Sequence, residues 1–379
     1  MNNTAFIFDR YVTGKDFIGR KQELELLENL VFKGESVAVY DEPGTGKMSL
    51  IQQMLSKARM HGQNFILADV SFMKVRTVED LLLSFASGVM KACAASPSAM
   101  RKIVEECLGG THLVFDEERF ESFGETVSAN WMLDEIDIQK VFELPSALAA
   151  RKQTRIVVLV REFQSILFPS ESGNILKILE KIIERHDLNC PFIFTGSHLN
   201  AMKEIFDVKR WFWHRVYRFR LEQIKGEDIA YFIRKGFQPQ GKVIEENLII
   251  NTAGILRNNM WYVNQLFCIV DSIAKGYVND NAVDAAIESL LALHSPRFFS
   301  QVCSLTDFQL SLLKAVIDGE TKFSTSSVID RYNLNSSANV KRLKDALVKK
   351  EIVWFDDEDV PHVQDVLFEY WLRKVYFAR

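Results

Sequence analysis

Between the apolar run 36–40 and the helical pattern 48–58 lies Asp41-Glu42-Pro43-Gly44-Thr45-Gly46-Lys47-Met48-Ser49, and no other segment constrains the fold as tightly. Glycines let successive backbone N–H groups face an anion, and a helix N-terminus behind them adds its dipole. Gly46 and Lys47 stand in the order a phosphate-binding loop requires, between a strand and a helix, as such a loop demands. A helical pattern over 20–32 precedes this unit. Further β-rich runs at 65–70, 155–160 and 191–195 alternate with helical patterns at 78–95 and 175–186. Strands that alternate with helices imply a parallel sheet covered on both faces.

From about Glu222 the strand signals stop. Helical patterns at 227–235 and 260–274 take over, as expected of a helical lid. Near Leu305 a new unit begins: Thr306 and Gln309 stand at capping-box spacing ahead of Leu310, Leu313, Val316 and Ile317. Helical patterns at 326–332 and 336–349 are followed by an apolar run at 351–355, an acidic turn, and a second run at 361–363. Three helices and a hairpin make a winged helix-turn-helix. The expected organisation is therefore an α/β P-loop domain over 1–221, an α-helical lid over 222–300 and a winged helix with a C-terminal helix over 301–379. Ser96–Ser98 reads as a small linker-like break.

A chain of 379 residues is longer than one ordinary core supports, which agrees with several packed units. A net charge of -4 gives no global attraction to nucleic acid or acidic lipid, so any such contact has to come from a local patch. The five cysteines lack the paired spacing of zinc sites and the density of a disulfide scaffold. The seven histidines show no ligand spacing either, so no metal site is assigned. The N-terminal stretch lacks the apolar segment of a signal peptide and no apolar run has membrane-spanning length, so the chain reads as cytoplasmic with no membrane partner. The cluster Trp211-Phe212-Trp213-His214 reads as internal packing around a lid hinge.

The loop departs from the G-x-x-x-x-G-K-[ST] pattern at two positions. Asp41 replaces the opening glycine and sets a negative charge beside the expected polyphosphate. Met48 replaces the Ser or Thr whose hydroxyl ligates Mg²⁺, and a thioether is a poor ligand for a hard cation. A helix turns about 100° per residue, so the Ser49 hydroxyl points elsewhere. The strand ending at Val160 runs into Arg161-Glu162-Phe163-Gln164, where Asp-Glu would hold magnesium and polarise water. Arg161 occupies the metal position and Glu162 the base position. Arg161 can instead supply positive charge, pairing with phosphate or with Asp41. At the next strand end, Thr195-Gly196-Ser197 supplies small polar groups where α/β sheets bind ligands, and Thr195 is the candidate phosphate sensor.

Taken in order, these motifs resemble the archaeal-type ATPase family, a STAND-like branch of the AAA-related P-loop proteins frequent also in Bacteroidetes. Phe17-Ile18-Gly19-Arg20 is similar to its opening F-I-G-R box beside the adenine, and Glu162-Phe163-Gln164 to its D-E-F-Q strand end. Ile193 through Ser197 resembles its sensor strand, and Arg215 falls where an arginine precedes the lid. The stretch Asn258-Asn259-Met260-Trp261-Tyr262 resembles a lid motif whose proline is here Met260. The stretch from Asp365 to Arg373 resembles the D-P-L-F-x-x-W-L-R signature.

The resemblance implies that ATP or ADP is the cofactor. The expected contact set is Phe17, Ile18, Gly19, Arg20, Pro43, Gly44, Thr45, Gly46, Lys47, Met48, Ser49, Arg161, Thr195 and Arg215, with Glu162 as candidate base. The departures cluster on metal and nucleotide contacts, so a pseudo-ATPase is expected, a nucleotide-binding switch whose Mg²⁺-dependent hydrolysis is weak or lost. An active ATPase using Glu162 is one alternative; a scaffold or DNA-binding regulator is the other. A protein partner or intramolecular docking of the winged helix is expected ahead of DNA, because Asp356-Asp357-Glu358-Asp359 in the hairpin would repel a duplex.

Overall fold

The computed structural model describes residues 5–378. Two compact units divide the chain: one takes its start up to Arg20, Glu42–Gln53 and everything from Glu222 onward, the other Lys21–Asp41 and Met54–Leu221.

The second unit is built on five parallel strands: β1 (Ser36–Val39), β2 (Phe65–Ser71), β3 (Arg155–Arg161), β4 (Phe192–Thr195) and β5 (Val216–Phe219). Their order is β2-β3-β4-β1-β5. Residues Val37–Val39 of β1 and 156–159 of β3 are wholly buried, as strands covered on both faces must be. After β1 the chain crosses to β2 at the far edge, then steps back through β3 and β4 and passes β1 to reach β5. The winding reverses at β1, and ligands of open α/β sheets bind outside the carboxyl ends of strands at such a point. β5 was not legible: Val216-Tyr217-Arg218-Phe219 is short and half-exposed, as an edge strand is.

Phe163, Phe194, Phe206 and Phe212 pack into one aromatic cluster beneath the strand ends, with Phe163 and Phe194 4.3 Å apart. The internal-packing reading of residues 211–214 thus holds for Phe212, whereas Trp213 stays 40% exposed. The supposed linker at Ser96–Ser98 is a helix start: Ser96 caps Pro97–Cys107 through Ala99 N–H, and Pro97 takes the first helical turn, where it needs no donor.

In the first unit, Gly226–Phe237, Glu246–Ile255, Met260–Ile273 and Asp280–Cys303 are helical, followed by Asp307–Ile317, Ser326–Tyr332, Ser337–Lys349, the hairpin Val353–Phe355/Pro361–Val363 and the helix Val366–Trp371. The Thr306/Gln309 capping box is present. One hydrophobic cluster runs from Phe6 through the lid helices to Leu372. The division drawn at 300/301 falls inside the helix Asp280–Cys303, so lid and winged helix share an element and a core rather than meeting at a linker. Asp365 fastens that joint: it caps Val366–Trp371 and accepts from Tyr262 at 2.7 Å and from Arg297 at 2.8 Å. Burial, and then the Asp365 carboxylate, push the Tyr262 hydroxyl well above its ordinary pKa. Trp371 is wholly buried and donates to Ser295 Oγ. Among the described residues no helix is long and apolar enough to cross a membrane.

Candidate nucleotide-binding site

The phosphate loop leaves β1 through Tyr40 and Asp41 and enters the helix Lys47–Met60. Gly44 and Gly46 both have left-handed backbones, with φ of 78° and 91°. They serve different ends. A Cβ on Gly44 would lie 2.7 Å from Asn259 Oδ1 and 3.0 Å from Trp261 Cβ, so this glycine admits the lid motif; at Gly46 nothing lies within 4 Å, leaving open space on that side. Thr45 Oγ1 and Lys47 Nζ both donate to the Glu42 carbonyl, at 2.9 and 2.8 Å. Arg20 donates to the Thr45 carbonyl at 2.9 Å, so the F-I-G-R box and the loop do meet. Gly19 and Arg20 are successive left-handed residues, and a Cβ on Gly19 would sit 3.3 Å from Ile224. Ile18 packs on the lid core, and Phe17 closes the short helix Gly14–Asp16.

Two contacts reach this loop from sequence-distant elements. Asn259, which caps Met260–Ile273, donates its side-chain amide to the Pro43 carbonyl at 2.9 Å. Trp354, on the winged-helix hairpin, donates its indole N–H to Glu42 Oε1 at 2.8 Å. Neither was foreseeable from sequence, because both partners lie more than two hundred residues away. The Ser49 hydroxyl accepts from Val12 N–H at 3.1 Å, which directs it to the N-terminal segment. At the metal-ligand position the helix offers the Met48 thioether.

The strand ends of the second unit carry the remaining candidates. Arg161 Nε donates to Asp69 Oδ1 on the neighbouring β2 at 2.7 Å. The carboxylate paired with Arg161 is thus Asp69, which sequence reasoning missed, rather than the anticipated Asp41; Asp41 accepts from Leu221 N–H at 3.2 Å. Glu162 has φ of 55°, a left-handed conformation unusual for a residue with a side chain. Its Oε2 accepts from Ser197 Oγ at 2.5 Å and from Gln164 Nε2 at 2.7 Å. A Cβ on Gly196 would come within 2.3 Å of Gln164 Oε1, so glycine is required for β4 to end beside this network. Thr195 is buried in register with Val39, and Ser197 is the hydroxyl joined to Glu162. Arg215 is a correction. It precedes Val216, which pairs with Ser36, and therefore lies at the end of the sheet away from Asp41. The arginine at the near end is Arg220, just past Phe219.

Elsewhere, His112, Asp134 and Asp137 place three ligand-type atoms within 4.8 Å of one another. Both Asp137 oxygens take backbone N–H groups, of His112 and of Asp134, at 2.7 Å each, and one also meets His112 Nδ1 at 3.0 Å. This is a helix-capping network, formed where Asp134 and Asp137 cap Glu135–Lys152.

Comparison with known proteins agrees with this architecture. Residues 296–374 match the family model described as a probable winged helix domain. No curated protein matches the sequence. Among solved structures, a Walker-type ATPase of Pyrococcus abyssi superimposes with a TM-score of 0.66 at 16% identity, covering 97% of this chain and 99% of that one. The ORC2 protein of Aeropyrum pernix, solved as ADPNP–ADP complexes, gives 0.59 at 11% identity over 95% and 93%. The ORC1 protein of Aeropyrum pernix, solved in complex with DNA, gives 0.51 at 13% identity over 99% and 97%. The fold is thus that of a P-loop ATPase followed by a winged helix. Its loop carries Gly46 and Lys47 of the G-x-x-x-x-G-K-[ST] pattern, with Asp41 at the opening-glycine position and Met48 at the Ser/Thr position.

Proposed function

We propose that the chain is a nucleotide-responsive switch of the archaeal-type ATPase kind, in which the loop takes ATP or ADP, Mg²⁺-dependent hydrolysis is weak or lost, and the winged helix registers occupancy. The observation that carries this reading is the 2.8 Å hydrogen bond from Trp354 to Glu42. With Asn259 on Pro43, it makes one short loop the meeting point of lid and winged helix. An anion received by such a loop biases whatever is bonded to it, and a ligand shifts an equilibrium through such differential contacts. The residues present fit a polyphosphate: left-handed glycines, Lys47 and a helix N-terminus. They do not fit magnesium, since Met48 offers sulfur and Arg161 is an ion-paired cation. No step of the proposed switch passes through that ion.

A second reading, residual hydrolysis with Glu162 as base, draws on its restraint by Ser197 and Gln164. The test of the switch is amide hydrogen exchange with and without ATP, in EDTA. Nucleotide should change protection in the hairpin Val353–Phe355/Pro361–Val363, and a Lys47→Ala variant should show no change. A hairpin indifferent to ATP that demonstrably binds would contradict the switch.

A further inference from the structure

The net charge of -4 requires any polyanion contact to be local, and one segment supplies it. Within residues 209–220, Lys209, Arg210, Arg215, Arg218 and Arg220 are interleaved with Trp211, Trp213, Tyr217 and other aromatics, with no Asp or Glu among them. The fold sets this segment on and before β5, the edge strand of the sheet, whose outer side no strand covers. Lys209, Arg210, Arg215, Arg218 and Arg220 are all exposed. Tyr217 is 51% exposed and Trp213 40%. The guanidinium groups of Arg218 and Arg210 lie 4.2 and 5.0 Å from the Trp213 ring centre.

Asp41 lies nearby, accepting from Leu221 N–H next to Arg220. Asp207 pairs with Arg218 at 3.0 Å, Glu204 pairs with Lys209 at 3.4 Å, and Glu180 accepts from Phe212 N–H. Among the described residues no ion pair engages Arg210 or Arg215, which precede the strand, or Arg220, which follows it. Edge strands are often blunted by charge, but blunting does not call for exposed aromatic rings between the cations. Alternating cations and exposed rings are what a single-stranded nucleic acid requires: charge to follow its phosphates, and flat apolar faces on which bases stack. Arg215 and Arg220 bracket the strand and lie about 16 Å apart at roughly 3.3 Å per residue, a track rather than a point.

We propose that the β5 edge is a binding surface for single-stranded nucleic acid, with Arg210, Arg215 and Arg220 on the phosphates and the exposed ring of Tyr217 under the bases. The proposal does not depend on the nucleotide switch. Titration of the full chain against a labelled oligodeoxythymidylate of about 20 nucleotides, longer than the usual site size, tests it by fluorescence anisotropy. The parent should bind more tightly than about 100 μM at low salt, the weak end of non-specific affinity. Joint substitution of Arg210, Arg215 and Arg220 by alanine should weaken binding at least tenfold and flatten the log K–log salt slope by about 2, at roughly 0.7 per lost phosphate contact. Tyr217→Ala should weaken it about tenfold with the slope unchanged. Lysine at the three arginine positions should keep the slope, and this variant with Tyr217→Ala carries the test if the alanine variant fails to fold. The proposal is overturned if the parent does not bind or if these substitutions leave binding intact. It is equally overturned if polyglutamate competes as well as the oligonucleotide, or if Lys341→Ala with Lys344→Ala alone removes binding.

Discussion

Trp354 of the winged-helix hairpin donates its indole N–H to the Glu42 carboxylate, 2.8 Å away, in the loop that the sequence marks for phosphate. Phenylalanine at 354 would keep an aromatic ring against His362, now at 4.5 Å, and lose the indole donor. We predict that Trp354→Phe costs about 1 kcal/mol, the usual net worth of such a bond. Hydrogen exchange in Val353–Phe355 should be faster and thermal unfolding earlier. Parent-like exchange in that strand would show that the contact does not hold the hairpin.

Phosphate release should be negligible in the parent, because magnesium chemistry supplies several kcal/mol of transition-state stabilisation and the metal-holding positions are Met48 and Arg161. Met48→Thr with Arg161→Asp should raise turnover at least tenfold if those two positions limit the reaction. Adding Asp69→Asn should help further, since Asp69 otherwise keeps a carboxylate beside the new one. Absence of gain in both combinations, or robust turnover by the unmodified protein, would refute this account of the chemistry.

The winged helix is expected not to read duplex DNA. Val340, Leu343 and Leu347 are buried and leave the basic face outward, as the sequence pattern required. Yet Lys344 meets both oxygens of Asp359 at 2.9 Å and rests over the Phe355 ring. The acidic hairpin thus neutralises part of the helix it accompanies, which lowers the phosphate term of any duplex binding. Anisotropy with a random duplex at low salt checks this; micromolar binding lost on Lys341→Ala with Lys344→Ala would contradict it.

Asp137 should be a stability determinant with a defined acid limit. Burial alone would raise its carboxyl, but hydrogen bonds from the His112 side chain and the backbone of Asp134 and His112 outweigh burial and hold it below the ordinary carboxylate range. A depressed folded-state pKa contributes stability that is complete above the unfolded value and is lost as pH falls through the folded one. The His112 ring is raised by its bond to Asp137, so its share disappears as pH rises through that elevated value. Asp137→Asn should cost about 1–3 kcal/mol near neutrality and flatten the acid limb of the stability curve. A variant with the parent's pH profile would remove the role assigned to Asp137.

Much of the fold was legible because its signals are local. Four strands of the sheet announced themselves as apolar runs, and the capping box at Thr306 marked the start of the helix Asp307–Ile317. The strand β5 was hidden by its shortness and by Arg218 within it, and Arg215 was misplaced with it: without the strand, no register says which end of the sheet it occupies. Of the candidate site, the loop with Gly46 and Lys47 was legible as a turn between a strand and a helix. Its partners were not. Asp69, Ser197, Asn259 and Trp354 reach their contacts through tertiary folding, and spacing along the chain carries no trace of that.

The most direct test of the central claim is calorimetric titration of the parent and a Lys47→Ala variant with ATP, in magnesium and in EDTA. The account predicts that the parent binds ATP with nearly the same affinity in both media, because neither Met48 nor Arg161 holds the metal, and that Lys47→Ala loses binding. Binding that collapses in EDTA, or that survives the loss of Lys47, would contradict it.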